Sequence, residues 1–410
     1  MQIQPILAAL RRHKAGTLLI ALQIALTLAI VCNALFIIQQ RLAHVGESTG
    51  VDEQNVFVIE NMWGEQYSTP EAAAKIKQDM LTLRQLPAVL DAAPANSYPL
   101  RTEGWDDLIT LTPEQVKPTT DATVFVGDDH FLHALGVKLI AGRDFRPDEI
   151  VNMGNRENPE PPVTIVTKAL ADKLYPNGDA LGKPLYSMTS TPSTIIGIVD
   201  TLHRADVDAS SIPYAGQVMI WPMRPAYPEG LVYIVRAKPG QLEAAMREAP
   251  KALYAANRMR TIDPHDGILS FAQVRQRAYE SDRGMAMLMG TISIVLLAIT
   301  GAGIVGLTSF WVGQRRRQIG VRRALGATHR DILHYFLTEN LLISLGGIGI
   351  GIVLAVASST WLVTHYELKS LPLSYVLAGV VLLLLLGQAA VLVPALRASR
   401  VPPVEATRPV

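Results

Sequence analysis

Residues 285–312 read MAMLMGTISIVLLAITGAGIVGLTSFWV and contain no charged side chain. A helix needs about 20 apolar residues to cross the hydrocarbon core of a bilayer, which is roughly 30 Å thick. Residues 17–38, 341–363 and 374–393 are also free of charge and of sufficient length. The sequence therefore predicts a membrane protein with four transmembrane helices.

Basic residues cluster before the first predicted span, between the second and the third, and after the fourth. The clusters lie at residues 11–14, 315–330 and 397–408, and the middle one holds six arginines. Short flanking segments that are rich in lysine and arginine remain in the cytoplasm. We therefore expect both termini in the cytoplasm and residues 39–284 on the other side of the membrane.

The region between the first two spans, about 245 residues, is too long to be a linker. Runs rich in β-branched residues predict strands at 55–60, 123–127, 162–167, 193–200 and 231–237. Apolar residues at spacings of three and four predict helices between the strands. The polar helical pattern of residues 271–284 continues into the second span, which predicts either one rigid helix or an amphipathic stem packed on its own domain.

The predicted fold is thus four transmembrane α-helices with a large α+β extracytoplasmic domain inserted between helices 1 and 2. The predicted divisions are a cytoplasmic segment at 1–16, helix 1 at 17–38, the inserted domain at 39–284, helix 2 at 285–312, a cytoplasmic helix and loop at 313–340, helix 3 at 341–363, an outer turn at 364–373, helix 4 at 374–393 and a cytoplasmic tail at 394–410.

The sequence contains none of the common motifs for catalysis or nucleotide binding. It has no GxxxxGK[ST] phosphate loop, no HExxH or CxxC zinc pattern and no GxSxG nucleophile elbow. In DDHFLH, residues 128–133, His130 and His133 would share a helix face, but an aspartate here serves equally well as an N-cap, with the histidines solvated. We also expect Asp106 and Asp107 to be solvated. The chain is predicted to be non-catalytic and to bind no metal or cofactor itself.

No acidic or basic residue interrupts the four spans, which argues against an ion or proton pathway through them. Small residues recur instead at four-residue spacing in the second and third spans. This pattern lets helices approach closely, within the chain or across a dimer. The predicted packing residues are Ala298, Ala302, Gly306, Gly347, Gly351 and Ala355.

Residues 315–332, RRRQIGVRRALGATHRDI, combine the largest arginine cluster with a pattern of apolar residues. A nucleic-acid site is disfavoured because the stretch lies between two spans and has no aromatic residue for base stacking. Apolar residues at three- and four-residue spacing predict a short amphipathic helix near the cytoplasmic surface. These residues are Val321, Ala324, Leu325 and Thr328.

Two further signals in this stretch predict a joint between helices. Gly326 suits a left-handed cap at the end of the short helix. Thr328 and Asp331 form a capping-box pattern at the start of the next helix. A short helix held between two spans, with an exposed basic face, is suited to bind a soluble protein and to be displaced by it.

Residues 315–352 resemble the signature of FtsX/MacB-type ABC-transporter permeases, which is a basic run, Glu-Ile-Gly, Arg-Ala-x-Gly-Ala and an apolar helix that carries a Glu and ends in glycines. The matching residues are Ile319, Gly320, Arg323, Ala324, Gly326, Ala327, Glu339 and the glycines from Gly346 to Gly351. Gln318 departs from the family, which usually has Glu there. If that acid pairs with the ATPase, the contact here is a neutral hydrogen bond.

Other parts of the chain extend the resemblance. Residues 128–145, 164–185 and 193–200 resemble the MacB-type periplasmic core domain, and residues 394–409 resemble the closing segment of the family. The resemblance implies an FtsX-like permease domain over residues 285–400 that works as a dimer, of two copies or with a sister permease. It also implies that ATP-driven closure of the spans moves the periplasmic domains.

The resemblance implies that the short cytoplasmic helix binds ABC ATPase subunits, which bind ATP and magnesium themselves. Because the chain begins only a few residues before its first span, we expect the ATPase on a separate chain. The residues expected to couple to it are Arg317, Gln318, Ile319, Gly320, Arg323, Ala324, Leu325, Gly326 and Ala327.

We expect an efflux or export permease of the bacterial inner membrane, with a periplasmic adaptor, an outer-membrane channel and no nucleic-acid partner. The alternatives are an FtsX-like regulator of cell-wall hydrolases, a LolC-like subunit for lipoprotein release and a sensor permease that relays peptide binding. The long inserted region and its MacB-type motifs favour export, since FtsX-like regulators generally carry a smaller loop and sensor permeases more spans.

Overall fold

The computed structural model describes residues 14–154, 161–187, 191–207, 214–366 and 371–400. The chain forms two compact units, the inserted domain (Gly46–Ser281) and the membrane unit (Met1–Val45 with Asp282–Val410). Several predicted features lie outside the described residues, namely Arg11, Arg12, Arg408, part of the outer turn at 367–370 and residues 401–409 of the closing segment.

The helices of the described residues are α1 Lys14–Val45, α2 Thr69–Arg84, α3 Phe131–Leu135, α4 Lys168–Leu174, α5 Leu242–Ala256, α6 Phe271–Ala278, α7 Glu280–Gln314, α8 Arg316–Ala324, α9 His329–Tyr366 and α10 Leu373–Ser399. The strands are β1 Val56–Trp63, β2 Val89–Ala95, β3 Trp105–Ile109, β4 Thr120–Gly127, β5 Leu139–Gly142, β6 Val151–Met153, β7 Val163–Thr167, β8 Pro184–Tyr186, β9 Pro192–Val199, β10 Val218–Pro225, β11 Gly230–Ala237, β12 Arg260–Thr261 and β13 Ile268–Ser270.

Four helices of the described residues, α1, α7, α9 and α10, are long and apolar enough to cross a membrane. The predicted fold class is confirmed, because the α+β domain lies between the first and second of these helices in the chain. Of the two alternatives for residues 271–284, one continuous helix is not observed, and Phe271 and Val274 are buried, as expected for an amphipathic stem. Helix α6 ends at Ala278, Tyr279 has φ −102° and ψ 13°, and α7 begins at Glu280.

The membrane unit packs α9 directly against α1. A Cβ atom built on Gly347 would lie 2.6 Å from the carbonyl oxygen of Ala21, and one on Gly351 would lie 3.0 Å from the Cα of Ala25. The side-chain amide of Asn33 on α1 donates to the carbonyl oxygen of Ala355, at 3.3 Å. Small residues at these positions of α9 therefore let the two backbones meet.

The small residues of α7 have a different environment from those of α9. Ala298, Ala302 and Gly306 are exposed within this chain. A Cβ atom built on Gly306 would find nothing within 4 Å. This face of α7 therefore does not pack against another described helix of the same chain.

The inserted domain is built on one mixed sheet with the order β12-β1-β11-β2-β4-β10-β7-β9-β5. Strands β4 and β10, and also β7 and β9, pair in parallel, while the other neighbours on this path pair antiparallel. Helices α2 and α5 pack on one part of the sheet around Phe57, Ile76 and Tyr233. Helix α4 packs on another part around Val166 and Trp221.

The prediction that Asp106 and Asp107 are solvated is right for Asp106, which is exposed, and wrong for Asp107, which is buried. Asp106 accepts a hydrogen bond from Arg204, at 2.6 Å, and a second guanidinium nitrogen of Arg204 donates to Asp121, also at 2.6 Å. The Arg204 side chain is buried, and so is Asp107. Because residues 106 and 204 are far apart in the chain, nothing local in the sequence indicates this ion-pair network.

His130 is the N-cap residue of α3, where an aspartate was predicted, and His133 lies within that helix. Both side chains contact a buried acid. Their Nδ1 atoms lie 3.0 Å and 2.6 Å from the carboxylate of Asp91 on β2. Arg84 Nε lies 3.2 Å from the same carboxylate. The expectation that these histidines lie on the solvated side is therefore wrong in part, since each ring is only partly exposed and is held by Asp91.

In this cluster, the pKa of the acid and the pKa of a histidine shift in opposite directions. The hydrogen bond to Asp91 raises the pKa of His130 above its usual value. Burial raises the pKa of Asp91, but the hydrogen bonds from His130 and His133 outweigh burial and hold that pKa below its usual value. The Asp91 contribution to stability is lost as the pH falls through its folded pKa, and the His130 contribution is lost as the pH rises through its folded pKa.

The His130→Gln variant is therefore expected to be less stable than the wild type near pH 5.5 and about equally stable at pH 8. The expected difference at pH 5.5 is about 0.5–1 kcal/mol, because the partly exposed ring is screened by water. Thermal unfolding of the full chain in nanodiscs at the two pH values measures it. His265→Gln, at an exposed histidine of the same domain, is the control. If His130→Gln loses as much stability at pH 8 as at pH 5.5, the stabilisation does not come from the protonated His130 ring.

Candidate coupling site at helix α8

Helix α8 ends in a cap built around Gly326. Gly326 has φ +99°, in the left-handed region that was predicted for it. Its N–H donates to the carbonyl oxygen of Arg323, at 3.1 Å, and the N–H of Ala327 donates to that of Arg322, at 3.0 Å. This pair of bonds is a Schellman motif, which satisfies the last carbonyls of the helix and turns the chain sharply.

Helix α9 begins at the predicted capping box. The backbone N–H of Thr328 donates to Asp331 Oδ2, at 2.8 Å, and the N–H of Asp331 donates to Thr328 Oγ1, at 3.2 Å. These bonds satisfy N–H groups that have no partner within the helix. The two caps together define the joint between α8 and α9.

The buried face of α8 consists of Ile319 and Gly320. Ile319 is 5% exposed and belongs to the same apolar cluster as Ile332 and Phe336 of α9. A side chain of this size gains roughly 1.5–3 kcal/mol from full burial. This contact holds α8 against the first turns of α9.

The apolar stripe predicted for α8 is exposed in this chain. Val321 is 44% exposed and Leu325 is 83% exposed, and Ala324 lies beside them. The periodicity correctly indicates a helix, but the residues that pack on α9 are Ile319 and Gly320. The stripe is available for a partner because the chain uses a different face for its own packing.

The predicted coupling residues divide into three groups by position. Exposed on α8 and its cap are Arg317, Gln318, Ala324, Leu325 and Gly326. Ile319 and Gly320 are buried, and Arg323 and Ala327 are half-buried. The first group is accessible to another protein, whereas Ile319 and Gly320 are not.

Arg323 makes contacts inside the chain. Its Nη1 donates to the carbonyl oxygen of Ser399, at the end of α10, over 2.9 Å, and lies 2.7 Å from His329 Nδ1. Arg323 therefore ties the C-terminal end of α8 to α10.

An ion pair at the other end of α8 is missed by the sequence reasoning. Nη1 of Arg315, the residue before α8, lies 2.9 Å and 3.0 Å from the two carboxylate oxygens of Glu339 on α9. The signature contains Glu339, but it does not show which residue Glu339 contacts. The signal that could have suggested the pair is an acid within an otherwise apolar helix close to an arginine cluster.

The remaining arginines give the exposed side of α8 a positive charge. Arg316, Arg317 and Arg322 are exposed, and the guanidinium of Arg322 lies 4.8 Å from the centre of the Tyr335 ring. Gln318 lines a small groove between α8 and α9 together with Arg322 and Tyr335. The site thus presents apolar, basic and amide groups on one short, capped helix.

Two family models match the chain. The MacB-like periplasmic core domain matches residues 17–252, and the FtsX-like permease C-terminal domain matches residues 290–403. The second match contains α8, both caps and Glu339. The inserted domain is thus a MacB-like periplasmic domain.

Several known proteins are similar in sequence. The macrolide export ATP-binding/permease protein MacB of Chromobacterium violaceum is 26% identical over 76% of this chain and 48% of its own length. The uncharacterized ABC transporter permease YvrN of Bacillus subtilis is 23% identical over 70% of this chain and 69% of its own length. The chain thus spans about half of the first relative and about two thirds of the second.

Among solved structures, the periplasmic region of MacB from Actinobacillus actinomycetemcomitans aligns with 57% of this chain and 96% of its own, at 12% identity and a TM-score of 0.32. The family assignment depends on the two model matches, of which the larger covers more than half of the chain. The chain belongs to the family of ABC transporter permeases that combine a MacB-like periplasmic core domain with an FtsX-like permease C-terminal domain.

Proposed function

We propose that this chain is the membrane subunit of an ABC export system in the bacterial inner membrane, and that it converts ATP hydrolysis by a separate ATPase into movement of its periplasmic domain. The observation that carries the proposal is α8, a short helix that is capped at its C-terminal end, fixed to α9 and α10, and exposed along Val321 and Leu325. A helix of this kind can transmit a force to α9 and α10, because its cap and its contacts prevent it from deforming.

The ATPase would contact the exposed residues of α8 and its cap. Leu325 and Val321 offer exposed apolar surface that a partner would bury on binding. Arg317 would add positive charge, and the side-chain amide of Gln318 would offer a neutral hydrogen bond. ATP and magnesium would be bound by the ATPase, since the 410 residues contain no GxxxxGK[ST] phosphate loop.

The orientation and the other partners belong to the same proposal. The basic clusters at 11–14, 315–330 and 397–408 favour a cytoplasmic position for α8 and both termini. The exposed small residues of α7, Ala298, Ala302 and Gly306, favour close packing against a second copy or a sister permease. A periplasmic adaptor and an outer-membrane channel would complete the path out of the cell.

Export is preferred over cell-wall regulation and lipoprotein release. The match to the MacB-like core domain extends through most of the inserted domain, and relatives named for macrolide and pyoverdine export are similar to this chain. The absence of charged residues from the four spans agrees with a mechanical role rather than ion conduction.

The proposal predicts that Leu325→Asp lowers affinity for the ATPase about tenfold or more, because binding would then bury an unpaired charge in place of an apolar side chain. The ATPase is the one that co-purifies with the wild-type chain, and the measurement is its stimulation by increasing amounts of the permease in nanodiscs. Leu81→Asp, at a half-exposed leucine on α2 of the inserted domain, is the matched control. Equal stimulation by both variants would rule out α8 as the docking site.

A further inference from the structure

The ion pair between Arg315 and Glu339 is the most deeply buried charge contact described in the membrane unit. The side chain of Glu339 is 3% exposed and that of Arg315 is 11% exposed. Removing two charges from water is costly, and a well-packed apolar pair is often equally stable. Stability alone therefore does not account for charges at this position. A requirement that the helices joined by Arg315 and Glu339 adopt one defined arrangement does account for them.

The pair connects three helices at one point. Arg315 follows the last residue of α7, its N–H donates to the carbonyl oxygen of Trp311 at 3.0 Å, and it is the N-cap residue of α8. Its guanidinium also lies 5.9 Å from the centre of the Trp311 ring. Glu339 lies within α9, three turns after the helix begins. One guanidinium thus joins the end of α7 and the start of α8 to the body of α9.

The two ends of α8 are attached in different ways. At the C-terminal end, Arg323 and His329 contact a single carbonyl oxygen, that of Ser399, and His329 is exposed. At the N-terminal end, donor and acceptor are both charged and both largely buried, so Coulomb attraction adds to the hydrogen bonds, which a neutral carbonyl acceptor does not offer. The attachment at Arg315 is therefore the stronger of the two.

We infer that Arg315 and Glu339 are positioning residues that make α8 and α9 move as one body, so that a displacement of α8 is carried into α9 and the membrane. This inference rests on the proposed function of α8 as the docking helix. If either partner is neutralised, the remaining charge is buried without a counter-charge and draws in water. Helix α8 then keeps only its apolar contact through Ile319 and moves more freely relative to α9.

The first test measures the position of α8 without any ATPase. Spin labels are placed on Arg317→Cys in α8 and Val353→Cys in α9, in a Cys32→Ala background, in the 410-residue chain in nanodiscs. Val353 is exposed and lies 14 residues after Glu339, or roughly 21 Å along the helix, which suits pulsed electron paramagnetic resonance. Arg315→Gln and Glu339→Gln are each expected to broaden the distance distribution, and the charge-swapped Arg315→Glu/Glu339→Arg chain to narrow it again.

Arg330→Gln is the matched control, since it removes an exposed arginine near the same joint. If the single variants fail to insert, the charge-swapped chain decides the question by comparison with wild type. A wild-type distribution in both single variants, or a broad one in the charge-swapped chain, overturns the inference.

The second test shows whether the Arg315–Glu339 pair transmits the movement of α8 to α9 or only keeps α8 folded. With unlabelled chain, Glu339→Gln should lower the maximal stimulation of the co-purifying ATPase about tenfold while the permease concentration for half-maximal stimulation stays the same. Loss of affinity instead would mean that the pair only keeps α8 folded, which overturns the inference. If the wild-type chain stimulates no ATPase, the proposed function fails, and the spin-label result still decides whether the pair joins α8 to α9.

Discussion

Replacing Arg260 by methionine is expected to lower the free energy of unfolding of the inserted domain by about 3–5 kcal/mol, because the change leaves a buried carboxylate without its counter-charge. Arg260 and Asp79 are 1% and 2% exposed, and two guanidinium nitrogens of Arg260 lie 2.8 Å and 2.9 Å from the Asp79 oxygens. The hydroxyl of Tyr233 donates to Asp79, at 2.6 Å. Burial and the negative charge of Asp79 raise the pKa of Tyr233 well above its usual value, so this hydroxyl remains a donor.

Hydrogen exchange of strands β1 and β11 in the full chain measures this loss, because both strands lie in the core that surrounds the pair. Arg258→Met, two residues away on the surface, is the matched control. The Asp79→Asn/Arg260→Met chain should lose less stability than the sum of the two single variants, since neither charge is then left alone. If Arg260→Met lowers the free energy of unfolding by less than about 1 kcal/mol, the prediction is wrong, because ion pairs at the protein surface already contribute this much.

Replacing Gly347 by leucine is expected to separate α9 from α1 and to destabilise the membrane unit by about 1–3 kcal/mol or more. A Cβ atom at this position would lie 2.6 Å from the carbonyl oxygen of Ala21 and 3.0 Å from the Cβ of Ile24. A backbone oxygen cannot move aside as the end of a flexible side chain can. The whole helix would therefore have to shift.

Gly349→Leu is a close control, since it adds the same side chain two residues away, where nothing lies within 4 Å of the new Cβ. Thermal stability of the purified full chain in detergent, followed by the fraction that remains monodisperse, compares the two variants. Gly347→Leu should show a markedly lower transition temperature and Gly349→Leu a nearly unchanged one. Similar transitions for both would mean that close approach of α1 and α9 does not support the fold.

The features predicted correctly from the sequence are encoded by neighbouring residues. Absence of charge over 20 or more positions is sufficient to predict a spanning helix, since the bilayer imposes both length and polarity. Gly326 and the Thr328–Asp331 pair were predicted because a cap involves only residues within one turn of each other. Strands β7 and β11 were predicted, at 162–167 and 231–237, because β-branched residues are frequent there.

Two central strands were missed for a physical reason. Strand β10, VMIWPMRP, and strand β2, VLDAAPA, contain prolines, which normally mark edge strands or loops. In the structure β10 lies between β4 and β7, and β2 lies between β11 and β4. Their position depends on strands that are distant in the chain, so local composition could not reveal it.

The four apolar helices, the α+β class of the inserted domain, the helix joint at Gly326 and the family could all be predicted from the amino-acid sequence. The buried face of α8, the contact of Asp91 with both histidines, and the ion pairs Arg315–Glu339 and Arg260–Asp79 became known only from the folded chain. The difference lies in the range of the interactions. Helix length, caps and periodicity are set within a few residues, whereas ion pairs and helix faces are set by side chains that only folding brings together.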